Sequence, residues 1–128
     1  MATTPRVLVV EDEQDIAALI KHTLERSGDA QVEVAYSGDT ALRAARDLAP
    51  DVVILDLNLP GLDGYSVLTQ LRSRPATRSI PVMVLTAKGD EDNEVRVFEL
   101  GADDFITKPF RAKALSARLE AVLGRHRA

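Results

Sequence analysis

Three uninterrupted apolar runs constrain the fold of this chain most strongly: Val7–Val10, Val52–Leu55 and Val82–Leu85. A strand with one exposed face alternates apolar and polar residues, whereas a strand buried on both faces is apolar throughout. Because parallel sheets bury both faces under helices, the three runs indicate central strands of such a sheet. Two weaker candidates, Val32–Ala35 and Asp104–Thr107, complete a set of five predicted strands.

Apolar residues at helical spacing occupy the segments between and after these runs. In chain order, the positions expected to face the core of five helices are Ile16, Leu19, Ile20, Thr23 and Leu24; Ala41, Leu42, Ala45 and Leu48; Val67, Leu68 and Leu71; Val95 and Phe98; and Leu115, Leu119, Val122 and Leu123. Ser27–Gly28, Ala49–Pro50 and Gly124 supply stops, and the third helix starts after Asp63–Gly64. Strict strand–helix alternation with short connections predicts an α/β fold, a doubly wound parallel five-stranded sheet with helices on both faces.

The amino-acid composition argues against several classes of function. The chain has 128 residues, the size of one domain, and no cysteine, which excludes disulfides and thiolate chemistry. His22 and His126 have no second ligand at metal-site spacing, so no histidine-built metal site is predicted. A net charge of −4 does not favour nucleic-acid binding by this segment. Neither a signal peptide nor a membrane span is predicted, so we expect a cytoplasmic location.

Polar side chains follow four of the five predicted strands. Glu11–Asp12 come after the first, Asp56 after the third, Thr86 after the fourth and Lys108 after the fifth. Ligands of open parallel sheets bind beyond the carboxyl ends of the strands. We therefore expect three carboxylates, one hydroxyl and one ammonium to converge on a single edge.

Three neighbouring carboxylates resist ionising together unless a cation shares the site. Mg²⁺ suits such a site, because it accepts carboxylates together with waters and phosphate oxygens. Lys108 and Thr86 can donate hydrogen bonds to phosphate oxygens. A carboxylate can also attack phosphorus, and Asp56 is the best candidate because it ends a buried strand. The residues predict Mg²⁺-assisted phosphoryl transfer to Asp56.

Taken singly, several of these residues have plainer interpretations. Glu11–Asp12 could be acids at a helix N-terminus, and Asp56 could be a turn residue. Lys108 could be a solvated surface charge, and Phe105 could be an ordinary core residue. The functional interpretation depends on their joint occurrence at the ends of successive strands.

Four segments closely resemble the signature blocks of response-regulator receiver domains: Val7–Glu13, Asp51–Gly61, Leu85–Ala87 and Lys108–Phe110. The likeness runs over roughly residues 6–124, in the right order and spacing. It implies a flavodoxin-like (βα)5 fold with strand order 2-1-3-4-5. It also implies a receiver domain at 1–124, followed by 125–128 as a basic tail or the start of a linker to an effector domain.

The resemblance assigns roles to the residues of the predicted phosphoacceptor and metal site. Asp56 matches the phosphoacceptor, and Asp12 matches the acid that binds Mg²⁺ directly. Glu11 matches its companion, which often acts through water. Asn58 matches the position whose backbone carbonyl binds the metal. A sensor histidine kinase is the implied phosphoryl donor.

The remaining roles concern the phosphoryl group and the switch. Thr86 and Lys108 match the residues that bind the phosphoryl oxygens. Phe105 matches the switch aromatic, which packs inward when Thr86 is drawn to the phosphoryl group. The Lys108–Pro109 bond is cis in this family, an isomer that costs little before proline.

Gly89–Arg118 further resembles the OmpR/PhoB-type subfamily of transcription regulators, chiefly in Glu99–Phe105 and Ala114–Arg118. That subfamily implies a homodimer through helix 4, strand 5 and helix 5, with Asp104 and Arg118 forming an intersubunit ion pair. DNA would be bound only by an effector domain outside this chain. Three positions depart from the residues usual there: Glu94, Ala114 and Glu120.

Two other function classes use similar elements. A haloacid-dehalogenase-like phosphohydrolase also has an aspartyl nucleophile and Mg²⁺, but it carries an acid where this chain has Asn58. Turnover of a generic phosphate ester would identify it. A flavodoxin-like nucleotide or flavin binder would need a phosphate-binding loop after the first strand, where Glu11–Glu13 would repel a phosphate. Flavin absorbance would identify that class.

Overall fold

Parallel strands and helices alternate along the whole chain. The computed structural model describes residues 4–26, 28, 30–87 and 91–127. The elements are β1 (Arg6–Val10), α1 (Gln14–Arg26), β2 (Gln31–Ala35), α2 (Gly38–Leu48), β3 (Val52–Asp56), α3 (Gly64–Ser73), β4 (Val82–Ala87), α4 (Glu91–Glu99), β5 (Asp104–Lys108) and α5 (Ala112–Arg127). All neighbouring strands pair in parallel, in the order β2-β1-β3-β4-β5. The predicted flavodoxin-like fold and strand order are confirmed.

The sheet separates two hydrophobic cores, which explains the continuous apolar runs. In β3, Val53 and Leu55 point into a core that α2 and α3 cover. Val52 and Ile54 point to the opposite face, which α1 and α5 cover. Every residue of β3 is buried, since successive side chains of a strand point to opposite faces and both faces are covered. The apolar runs thus mark the centre of the sheet, and the polar residues that follow them mark its edge.

One predicted core position of α1 and both of α4 lie at the surface, whereas Ile20 and Leu24 of α1 are buried as predicted. Leu19 was expected on the core face of α1, but its side chain is 56% exposed, and Ala17 is buried instead. Val95 and Phe98 were expected to anchor α4, but they are 61% and 43% exposed, and Val97 is buried. A helix with few apolar residues can turn either of two faces to the sheet, and contact with the strands selects between them.

Where a helix ends depends on the backbone conformation of the residue there, and not on its residue type alone. The predicted stop at Ala49 is confirmed, because it adopts the left-handed conformation with φ 46°. Gly28 is also left-handed, with φ 75°, while Ser27 lies outside the described residues. The predicted end at Gly124 is wrong: α5 continues to Arg127. Within the described residues, no helix has both the length and the apolar character needed to cross a bilayer.

One arginine joins three segments at the amino-terminal end of β4. The guanidinium of Arg72 in α3 donates to the carbonyl oxygens of Gly101, at 2.8 and 2.9 Å, and of Ile80, at 2.6 Å. It also donates to Asp103 at 3.0 Å, and the same carboxylate oxygen accepts the Val82 N–H at 2.8 Å. This network holds the connection between α4 and β5 against α3 and β4.

We expect Arg72→Ala to lower the free energy of unfolding by about 2–4 kcal/mol, because it removes the donor to the carbonyls of Arg78, Ile80 and Gly101 and the positive partner of Asp103. Arg46→Ala is the matched control. Within the described part of the chain, Arg46 pairs with its neighbour Asp47 on the surface, so its loss should cost less than about 0.5 kcal/mol. Urea unfolding of both variants measures the difference, and equal costs would contradict the structural role of Arg72.

Candidate functional site

The carboxyl ends of four strands bring the predicted site residues to one edge of the sheet. Glu11 and Asp12 directly follow β1, and Asp56 is the last residue of β3. Thr86 lies one residue beyond the β4 partner of Asp56. Lys108 ends β5. Asp56, Thr86 and Lys108 lie within their strands, rather than after them as predicted, but at the expected edge.

The three acids form one cluster. Glu11, Asp12 and Asp56 each place a carboxylate oxygen within 4.8 Å of the others. Glu11 and Asp56 are almost fully buried, with 0% and 1% of their surface exposed. Burial and the adjacent Asp56 raise the pKa of Glu11 from 4.5 to about 7, although Lys108 acts in the opposite direction. A cation would relieve this repulsion, and a set of hard oxygen donors fits Mg²⁺.

An ammonium group lies against two of the carboxylates. Lys108 Nζ donates to Asp56 Oδ2 at 3.0 Å and to Glu11 Oε1 at 3.1 Å. Burial alone would lower the pKa of Lys108, but hydrogen bonds and attraction to Asp56 and Glu11 raise it. The amine therefore stays charged. The Lys108–Pro109 bond is cis, as the resemblance implies.

Both oxygens of Asp56 have a donor. Oδ2 accepts from Lys108, and Oδ1 accepts the backbone N–H of Asn58 at 3.0 Å. The carboxylate is therefore held in one orientation at the end of β3. The Asn58 N–H bond was not predicted, because a backbone contact within a loop has no residue signature. Its only sequence signal is the two-residue spacing, at which an aspartate often bonds to the following backbone.

Thr86 presents the clearest indication of a ligand. It is 3% exposed, and its Oγ1 has no hydrogen-bond partner among the described residues. A buried hydroxyl without a partner is unfavourable, so such groups usually serve a ligand or water. Oγ1 could donate to one oxygen of an anion bound at the cluster. The residues present thus fit both a divalent cation and a phosphoryl group.

The proposed switch and dimer residues lie on β5 and α5. Phe105 is half-buried in β5, and its ring meets that of Phe98 edge to face, with the centroids 5.8 Å apart. Asp104 and Arg118, expected to pair between subunits, pair within one chain at 3.0 Å. An intersubunit pair would therefore have to replace this bond.

Known proteins share this arrangement. Residues 7–120 match the response regulator receiver domain family. The chain belongs to that family. It is 45% identical over 120 residues to the phosphate regulon transcriptional regulatory protein PhoB of Escherichia coli K12, covering 94% of this chain and 52% of PhoB. It is 45% identical over 123 residues to the transcriptional regulatory protein PrrA of Mycobacterium tuberculosis, covering 96% of this chain and 52% of PrrA. The chain thus spans about half the length of these curated relatives.

Solved structures agree. A putative response regulator from Chloroflexus aurantiacus superposes with a TM-score of 0.91 at 34% identity, over 95% of this chain and 99% of that one. Chemotaxis protein CheY4 of Vibrio cholerae gives 0.87 at 29% identity, over 94% and 99%. The resemblance and the receiver-domain function are confirmed, and the phosphohydrolase alternative finds no support. The chain is a two-component signalling domain rather than a conventional enzyme, and domains of this family typically bind Mg²⁺.

We expect MgCl₂ to raise the melting temperature relative to NaCl of equal ionic strength, because a bound cation removes the repulsion within the cluster. At a hundred times the dissociation constant the gain is about 2.7 kcal/mol. Asp12→Asn should stabilise the metal-free protein and lose most of this response. Asp15→Asn, an exposed acid in the first turn of α1, should retain it. Scanning calorimetry tests both variants, and a full Mg²⁺ response in Asp12→Asn would refute the site.

Proposed function

We propose that Asp56 accepts a phosphoryl group from the phosphohistidine of a sensor histidine kinase. An Asp56 oxygen forms a bond to phosphorus, the phosphorus–nitrogen bond of the donor breaks, and its electron pair returns to the imidazole, which takes up a proton. The observation that best supports this is the buried Thr86 hydroxyl, which has no partner among the described residues and lies on the edge where Lys108 contacts Asp56. No general base is needed, because a carboxylate is itself the nucleophile.

The acidic cluster supplies the proposed metal site. Asp12, Asp56 and the Asn58 backbone carbonyl would hold Mg²⁺, with Glu11 acting through a bound water. Bound Mg²⁺ would offset the charge of the carboxylates and of the phosphoryl oxygens. Catalysis of such a transfer rests mostly on positioning and charge, and the two hydrogen bonds to Asp56 already fix the nucleophile.

The new phosphoryl group would redistribute the hydrogen bonds of the site. Lys108 can move from the carboxylates to a phosphoryl oxygen, and Thr86 can donate to another. Once Thr86 is drawn in, we propose that the Phe105 ring turns inward and leaves its contact with Phe98. Slow self-catalysed dephosphorylation, with the Asn58 side chain near the path of the water, would return the domain to its resting state.

A groove beside the site offers a surface for the donor. It has a volume of about 480 Å³ and lies between α1 and the segment after β5, with Lys108 and Asn58 among its lining residues. Ile16, Leu19 and Phe110 supply apolar walls. Leu19 is exposed and does not pack in the core, which is consistent with contact to a partner protein. We propose that the kinase docks here, in the cytoplasm.

We expect Asp56→Asn to abolish Mg²⁺-dependent phosphorylation by acetyl phosphate, because an amide cannot replace the carboxylate nucleophile. Asp51→Asn is the matched control, since Asp51 lies exposed just before β3 and bonds to the backbone of Arg6. That variant should react as the wild type does. Intact-mass spectrometry detects the added phosphoryl group. Unchanged labelling of Asp56→Asn would refute the assignment, and turnover of p-nitrophenyl phosphate by the wild type would favour a hydrolase.

A homodimer through α4, β5 and α5 is the proposed active form. Val95 and Phe98 expose apolar surface on α4, the Phe98 ring meets Phe105 of β5, and the neighbouring Asp104 pairs with Arg118 of α5. Exposed apolar residues next to a charged pair are typical of a contact surface. Formation of the dimer would exchange the Asp104–Arg118 bond within the chain for one between subunits.

We expect beryllofluoride with Mg²⁺ to shift the chain from monomer to dimer in sedimentation velocity. Val95→Asp should weaken this dimer at least tenfold, because burying an apolar side chain contributes about 1.5–3 kcal/mol and a charge there is unfavourable. Leu19→Asp, which places the same charge on α1, should dimerise normally. Equal losses in both variants, or dimers without beryllofluoride, would count against this surface.

The output would lie beyond this chain. We propose that residues 1–124 form the receiver domain and that 125–128 are a basic tail or the start of a linker. Because α5 continues to Arg127, such a linker would leave the domain along the axis of this helix. The named relatives are transcriptional regulators about twice as long, which supports a DNA-binding effector domain as the partner.

A further inference from the structure

The loop of residues 57–63 carries Asn58 and connects β3 to α3. It is fixed at its start, where the Leu57 N–H donates to the Leu85 carbonyl at 3.1 Å. Leu57 and Leu59 are buried in the core. At its end, Asp63 caps α3 by accepting the Ser66 N–H at 2.9 Å. The position of the Asn58 backbone is therefore set by how the loop packs between the strand and the helix.

Gly64, the first residue of α3, lies directly against the end of β3. A Cβ atom built on Gly64 would lie 2.5 Å from Leu57 Cα and 2.6 Å from the Asp56 carbonyl oxygen. Both are backbone atoms, so no side-chain rotation can relieve the contact. The Gly64 N–H also donates to the Leu57 carbonyl at 3.2 Å. At Gly64 there is no room for a side chain. Gly61, by contrast, is left-handed, with φ 70°, and a Cβ atom built on it would meet no other atom within 4 Å.

A second glycine packs against the other end of the loop. A Cβ on Gly38, at the start of α2, would lie 2.6 Å from the Leu62 carbonyl oxygen and 2.8 Å from Val67 Cγ2. Gly38 is also buried. The loop is therefore held between two glycines, one at each end, and neither belongs to the acidic cluster.

We infer that Gly64 is a positioning residue for phosphoryl transfer: by letting α3 approach β3, it sets the Asp56 backbone and the Asn58 carbonyl at the distance that the metal site needs. Gly38 supports the far end of the same loop. The inference rests on the proposed function, which makes the Asn58 carbonyl a metal ligand. It adds a requirement that no side chain of the cluster supplies.

A methyl group at Gly64 must push apart the start of α3 and the backbone of Asp56 and Leu57. Ordinary contact begins near 3.4 Å, so the backbone has to separate by roughly 1 Å. The helix resists movement, because Val67, Leu68 and Leu71 are fully buried in the core. Residues 56–58, which carry the nucleophile and the proposed metal carbonyl, then take part of the displacement. A misplacement of this size can slow a reaction by about a hundredfold.

The test compares Gly64→Ala with Gly61→Asn, which adds a side chain to the same loop at an open position whose left-handed backbone asparagine tolerates. We expect Gly64→Ala to weaken Mg²⁺ binding by about tenfold or more, measured by chemical-shift titration of backbone amides, and to slow phosphorylation by acetyl phosphate at saturating Mg²⁺. Gly61→Asn should leave both unchanged. Gly38→Ala should fall between them.

Val122→Ala separates positioning from lost stability, because Val122 is fully buried in α5 on the opposite face of the sheet. It should lower the urea midpoint while leaving Mg²⁺ affinity intact. If Gly64→Ala folds poorly, the titration is repeated for all variants in sucrose, which favours the folded state. Wild-type Mg²⁺ affinity in folded Gly64→Ala, or an equal loss in Val122→Ala, would overturn the inference. A wild-type chain that bound no Mg²⁺ would overturn the proposed function itself, and this inference with it.

Discussion

Two buried carboxylates and one ammonium at the carboxyl edge of the sheet form the interaction on which the site depends. Asp56 and Glu11 are almost completely removed from water, and Lys108 donates to both. One positive charge cannot neutralise this pair together with Asp12, so the resting site keeps an excess of negative charge. Burial, and then the adjacent Asp56, raise the pKa of Glu11. A cluster of hard oxygen donors with this excess of negative charge fits a divalent cation.

The fold makes this unfavourable arrangement possible because the sheet is covered on both faces. β1 and β3 are buried at every residue apart from Arg6, so their ends are fixed relative to one another. Rigid strands hold the acids in place despite their repulsion, because the packing of the two cores offsets the unfavourable free energy of this repulsion. The loop after β3 then sets the orientation of the nucleophile. The Asn58 N–H donates to the Asp56 carboxylate, and Gly64 lets α3 pack close enough to hold that loop in place.

The strands, their order along the chain and the polar residues that meet at the carboxyl edge of the sheet could be predicted because each has a local signature. Continuous apolar runs mark buried strands, and the polar residue after each run marks the functional edge. Helix faces were harder, as Leu19 and Phe98 illustrate: both fit the helical spacing, yet both are exposed. The end of α5 was also misplaced, because a glycine ends a helix only where its backbone turns left-handed.

By itself, the sequence determined the α/β alternation, the five strands and the set of groups that reach the edge, because these follow from the spacing of apolar and charged residues. Only the tertiary structure decided that Lys108 bonds to Glu11 as well as Asp56, that Asp104 and Arg118 pair within one chain, and that Thr86 Oγ1 is buried without a partner among the described residues. These features depend on distances between segments far apart in the chain. Such distances are set by packing of the whole domain, which no local pattern encodes.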